Sequence, residues 1–213
     1  METTRYFDTA RAWPVFSTGR WHRMLSLFLL PLALLVGTTV PAFADEPAPR
    51  KSVAKYEVRF MTNMIDHHQM AIMMAEMCQA KALHEELRSL CLTIQTTQQQ
   101  EIMTMRSWLS DWYGVSYVPD MTRGDMQRME RMAALPPAEF EDTFLKSMTR
   151  HHWKAVIRAS QCVARAYHDP LKNLCEQIVV AQIQEIQQMK SWLCQWYGLC
   201  HYGPSPRSET EDL

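Results

Sequence analysis

Glycine is scarce in this sequence, at 6 of 213 residues. Loops that cradle phosphate with successive backbone amides depend on it, and so do large β folds with many tight turns, so neither is expected. An excess of one charge is missing too. The 22 basic and 23 acidic residues leave a formal net charge of −1, which provides no basic field for nucleic acid. Nucleophile–base constellations and dense carboxylate clusters are absent, and no catalytic activity is expected. The longest apolar run, Leu25 to Val40, is interrupted by Pro31 and falls short of the ~20 residues that span a bilayer. With 47% hydrophobic and 21% charged residues, the chain has ordinary globular composition. Its excess is in sulfur: 16 Met and 6 Cys.

The N-terminus gives the cysteines a context. Arg20-Trp21-His22-Arg23 precedes the apolar run, and Ala42-Phe43-Ala44 offers an A-x-A cleavage pattern before Asp45. Residues 1–44 therefore read as a leader and signal peptide, with an uncleaved anchor as the alternative. Export would leave a single mature domain, residues 45–213, periplasmic or secreted, where disulfides persist. It keeps all six cysteines and has 18 basic against 21 acidic residues.

Shifted by 84 residues, the sequence aligns with itself without a gap. Phe60 meets Phe144, Met64 meets Met148, His67-His68 meets His151-His152, Cys78 meets Cys162, and His84 meets His168. The match continues through Cys91/Cys175, Gln98/Gln182, Glu101/Glu185, Met105/Met189 and Trp112-Tyr113-Gly114/Trp196-Tyr197-Gly198. Two copies at so long a period point to a duplicated supersecondary unit. Each copy carries two helical stripes; Leu87, Cys91, Ile94, Gln98, Glu101, Met105, Trp108 and Trp112 follow heptad spacing. Gly114 and Gly198 stop helices, and His168-Asp169-Pro170 marks a turn with Asp as N-cap and Pro at the first helical position. The expected fold is all-α: a four-helix bundle of two helical hairpins, about 53–114 and 136–198. Between them a linker, 115–135, holds a short helix near 125–134, and a polar tail follows from 204 to 213.

In an antiparallel hairpin, facing residues have a nearly constant sum. Pairing Cys78 with Cys91 sets His68 opposite Glu101 and Met64 opposite Met105. In the second copy the same rule sets His152 opposite Glu185 and Met148 opposite Met189. Buried His and Glu need partners, so each layer is either a structural His–Glu bond or a metal site. Adjacent histidines point about 100° apart on a helix, so His67 and His151 can face a different partner from His68 and His152. Imidazole, thioether and carboxylate together suit copper better than calcium or magnesium, and thioethers favour Cu(I). A di-iron site would need carboxylates where Met64 and Met148 stand.

Two features carry a family resemblance: His-His-x-x-Ala at His67–Ala71 and His151–Ala155, and Gln98-x-x-Glu101-Ile102-x-x-Met105 with its closing Trp. In these the chain resembles the CopM-like family of exported bacterial proteins, a ferritin-like domain of unknown function, from about Val53 to Gly198. The resemblance implies a ferritin-like four-helix fold and, for some members, periplasmic copper binding linked to copper tolerance. It implies no established catalytic activity.

Other sulfur positions leave alternatives open. Met70, Met73, Met74 and Met77 form a stripe, and Met126, Met129 and Met132 lie on the linker helix. These methionines either pack flexibly on one another or hold Cu(I) or its surrogate Ag(I). Among 15 possible pairings, repeat geometry favours disulfides Cys78–Cys91 and Cys162–Cys175, leaving Cys194 with Cys200, with thiolate metal binding as the alternative. Trp108, Trp112, Trp192 and Trp196 read as a bundle-end core cluster. The first functional expectation is a non-catalytic copper-binding protein that sequesters the ion or hands it to a copper-handling envelope protein. A metal-free envelope protein with structural His–Glu layers and a Met-rich partner surface is the second. A ferritin-like redox enzyme is the third.

Overall fold

The computed structural model describes residues 46–202. The expected signal peptide and the tail from 204 lie outside them. The described residues form five helices and no strand: α1 (Lys51–Lys81), α2 (Glu85–Tyr113), α3 (Arg123–Ala133), α4 (Pro137–Arg165) and α5 (Asp169–Tyr197). Among them no helix is long and apolar enough to cross a membrane.

Local signals set the helix ends. Gly114 and Gly198 take left-handed backbone, with φ of 62° and 68°, and turn their N–H groups back onto Ser110 and Cys194. A Cβ at either position would meet nothing within 4 Å, so backbone conformation, not space, calls for glycine there. Thr122 and Asp125 close a reciprocal capping box at the start of α3. The second hairpin turn differs from expectation by one residue. His168 is the N-cap, and Asp169 and Pro170 are the first two helical residues. The Asp169 carboxylate accepts from Lys172 Nζ at 2.8 Å instead of capping backbone amides.

α1 packs along α2, α4 along α5, and α1 crosses α4, while α3 lies against α1 and α4. The two hairpins meet head to tail: the start of α1 reaches the α4–α5 turn, and the start of α4 reaches the α1–α2 turn. Apolar side chains therefore gather in two clusters. One holds Phe60, Met64, Leu109, Trp112, Ala159 and Leu171; the other holds Ala75, Leu87, Ile94, Phe144, Met148 and Trp192.

Disulfides join Cys78 to Cys91 and Cys162 to Cys175, each with Cα atoms 6.2 Å apart, and Cys194 to Cys200. No free thiol remains, which rules out thiolate metal binding in this state. The expected single tryptophan cluster is also corrected. Trp108 stacks with Trp112 and Trp192 with Trp196, each at 5.0 Å, and the two pairs belong to different clusters. Head-to-tail packing sends the closing ends of α2 and α5 to opposite ends of the bundle.

Candidate metal centre

The histidine pairs sit near the midpoints of α1 and α4, where these helices cross. His67 and His151 face each other across the crossing, with ring centroids 3.6 Å apart and planes inclined by 22°. His151 Nε2 donates to the His67 carbonyl at 3.1 Å. The neighbouring histidines turn outward within their own hairpins. His68 Nε2 lies 2.7 Å from Glu101 Oε2, and His152 Nε2 lies 2.7 Å from Glu185 Oε2. Both histidines are fully buried.

At that length each carboxylate partners the Nε2 of its histidine. Both ring nitrogens of His67 are left unpartnered, as are Nδ1 of His68 and of His152 and the side-chain oxygens of Gln98 and Gln182. Each such buried atom costs about 1–3 kcal/mol, and their concentration in one layer is the site's main chemical feature. Burial, followed by the neighbouring histidines, holds His67 and His151 well below the usual imidazole range. Both are neutral at pH 7, and a neutral imidazole keeps a lone pair for a metal.

Thioethers flank the layer. Met64 and Met148 lie one turn before His68 and His152 on their helices. Met105 and Met189 lie one turn beyond Glu101 and Glu185, and all four are fully buried. Among the described residues no three His, Cys, Asp or Glu side chains converge on one ion position. Each half offers an imidazole and a carboxylate, so further ligands would have to be thioethers or amide oxygens. That donor chemistry fits a soft or borderline ion and not an all-oxygen cation.

The second group of methionines lies elsewhere. Met74 is buried, Met70, Met73 and Met77 are half-buried, and Met129 and Met132 of α3 pack into the same cluster. Met126 is 39% exposed and stays outside it.

Reading the sequence missed a pair of buried carboxylates. Glu57 accepts from Tyr113 Oη at 2.5 Å, from the Tyr167 and His168 amides at 2.6 and 3.0 Å, and from His168 Nδ1 at 2.6 Å. Glu141, 84 residues on, accepts from the Leu83 amide at 3.0 Å and from His84 Nδ1 at 2.8 Å. Each hairpin's turn is thus held by a carboxylate from the other hairpin. Trp112 stacks on His168 at 3.9 Å and Trp196 on His84 at 3.7 Å. Burial alone would raise the Glu57 pKa, but the hydrogen bonds from Tyr113, His168 and Tyr167 outweigh it and lower it. Burial, then Glu141, pushes the Tyr197 phenol up to about 12. The 84-residue shift aligns Glu57 with Glu141 and could have exposed the pair.

Residues 57–193 match the model of DUF305, a domain of unknown function. CopM in its Cu(I)-bound form is 32% identical, with a TM-score of 0.61 over 67% of this chain and 98% of that one. CopM is also solved with Cu(II), with silver and in the apo form. A DUF305 protein from Streptomyces coelicolor, which carries the name of a secreted protein, is 29% identical, with a TM-score of 0.56 over 64% of this chain and 89% of that one. A DUF305 fragment from Deinococcus radiodurans is 26% identical, with a TM-score of 0.60 over 70% and 99%. Among curated proteins, none matches.

Proposed function

We propose a copper-holding function from one premise: the chain belongs to the DUF305 family. The protein sits outside the cytoplasm after signal-peptide cleavage near Ala44, as three disulfides and a relative named as secreted support. It sequesters copper or passes it to an envelope protein, without turnover. The observation that carries this reading is the layer of unpartnered buried imidazole nitrogens among fully buried thioethers. Similarity to CopM, solved with both copper oxidation states, supports the choice of ion. Two tandem copies give two related sites: Met64, His67, His68, Glu101 and Met105, and Met148, His151, His152, Glu185 and Met189. The methionines of α1 and α3 add a softer store for Cu(I) or Ag(I).

The test is a Cu(I) titration against a competing chelator, with Cu(II) followed by paramagnetic resonance. Replacing His67 and His68 with Ala removes the tightest site, and the same change at His151 and His152 removes a second. Glu101→Gln weakens Cu(II) more than Cu(I), because a carboxylate favours the harder ion. Replacing Met70, Met74 and Met77 with Leu conserves apolar volume and costs only Cu(I) or Ag(I) capacity. If the His variants keep all their copper and the Leu variant loses it, the site assignment is wrong. The 2.7 Å His–Glu contacts favour a second reading, a metal-free bundle with structural ion pairs. That reading requires no copper bound at micromolar concentration.

A further inference from the structure

The seat that α3 fills has a counterpart in the other half of the bundle. In the filled seat, Met129 and Met132 pack with Met74, Phe140 and Phe144. Lys81 lies 5.3 Å over the Phe140 ring and donates to the Ala133 and Leu135 carbonyls at the end of α3, at 2.5 and 2.6 Å. Shifted by 84 residues, Lys81 becomes Arg165, and Phe140 corresponds to Tyr56. Arg165 lies 4.6 Å over the Tyr56 ring, so the geometry repeats. No helix covers this second seat among the described residues. It is a groove of about 300 Å³ lined by Tyr56, Arg59, Asn63, Arg158, Gln161 and Arg165.

Its chemistry has changed from sulfur to positive charge. Arg158 and Gln161 stand where the filled seat has Met74 and Met77. Arg59, Arg158 and Arg165 are exposed, and among the described residues none pairs with a carboxylate. Arg150 and Lys154, both exposed, continue the stripe in steps of four along α4. A groove with three guanidinium groups suits anionic groups such as carboxylates, which guanidinium binds in bidentate fashion.

The path of the chain points to the occupant. After α2, Tyr117 Oη and the Asp120 amide both donate to Asp66 on α1, at 2.7 and 2.8 Å, and the chain then enters α3 and its seat. After α5, Tyr202 Oη donates to the Lys146 carbonyl on α4 at 3.0 Å, one turn before Arg150, the counterpart of Asp66. Beyond it the sequence reads Gly-Pro-Ser-Pro-Arg and then Ser208-Glu209-Thr210-Glu211-Asp212. Lys146 to Arg158 is about 18 Å along a helix, and residues 203–209 reach about 23 Å when extended. Glu209 can therefore reach Arg158, and Glu211 and Asp212, at about 30 Å or more of extended chain, can reach Arg165, about 28 Å along the helix from Lys146.

We propose that the arginine groove between α1 and α4 is a docking site for carboxylate-rich peptide, and that its occupant is this chain's own segment 208–212.

The test places the photo-crosslinker benzoylphenylalanine at position 63 of the otherwise intact chain and maps its links by mass spectrometry. The expected link joins position 63 to the peptide beginning at Ser208, within one chain, and it fades in high salt because exposed charge pairs are screened. Arg158→Glu with Arg165→Glu should cut its yield about fivefold, and adding Glu209→Lys with Glu211→Lys should restore it. The salt arm needs no substitution in the groove, so it holds even where a variant folds poorly. Absence of the link overturns the proposal, and so does a link indifferent to salt and charge reversal. Links that join labelled to unlabelled chains in a mixture of the two would assign the groove to a second copy and overturn it as well.

Discussion

His67 and His151 stack face to face at the helix crossing, and their lowered pKa values have a thermodynamic consequence. Unfolded, each imidazole takes up its proton near the usual 6.5; folded, it stays neutral well below that, chiefly through burial. Between those limits the unfolded chain binds more protons. The stability they confer is therefore complete above pH 6.5 and is lost as pH falls, by up to about 1.4 kcal/mol per pH unit for each group. Glu57 adds a later phase. Its folded pKa lies below the usual 4.5, so its contribution is present above 4.5 and fades as pH drops through the folded value. Urea unfolding of the metal-free chain should show a lower midpoint at about pH 5.5 than at about pH 7.5. The slope should shrink in a His67→Gln variant. An equal midpoint at both values would mean that the folded layer accepts the protons.

At the scale of elements, each hairpin is fastened twice, by a disulfide near its turn and by a carboxylate from its neighbour. Removing Cys78–Cys91 as a pair of serines should cost about 2–4 kcal/mol, since the bond closes a short loop, and thermal unfolding reads it directly. Glu57→Gln keeps the shape but gives up charge-assisted bonds, and should cost about 2 kcal/mol. Glu57→Ala also strands the Tyr167 and His168 amides and should cost about 3–5 kcal/mol. If both variants match the parent, water substitutes for the clasp. Contacts inside a hairpin were legible in the sequence because they are local. A constant-sum register brings Cys78 to Cys91 and His68 to Glu101 once two helices and a turn are assumed. Contacts between hairpins were not legible. Nothing in the spacing of His67 says that its ring will lie on His151 and not on another helix, and Glu57 reads as one more surface charge. The four tryptophans were grouped at one end because their shared register says nothing about which way the second hairpin points.

For the molecule as a whole, two similar halves have been put to different uses. One seat between α1 and α4 is filled with methionine and covered by α3; the other is lined with arginine. Lys81 and Arg165 show how little the backbone had to change, since each cation lies over an aromatic ring and only the neighbouring side chains differ. Lys81→Met should loosen α3, whose final carbonyls would lose their donor. Hydrogen exchange should then quicken in α3, while α4 and α5 keep the protection of the parent.

The crossed carboxylate clasps also order events in time. The Cys78–Cys91 bond spans 13 residues, whereas Glu57 reaches partners 110 and 111 residues away. Local closures form fast and distant ones wait on the slower search of the chain. As the chain folds, the first hairpin can zip and oxidise while Glu57 still has no turn to hold. Its buried charge becomes tolerable only when the Tyr167–His168 corner arrives. Assembly is therefore expected in two kinetic phases, a rapid one that makes hairpins and a slow one that locks both corners. Pulse-labelled exchange should find the Tyr167 and His168 amides protected last, even though their own helices are already formed.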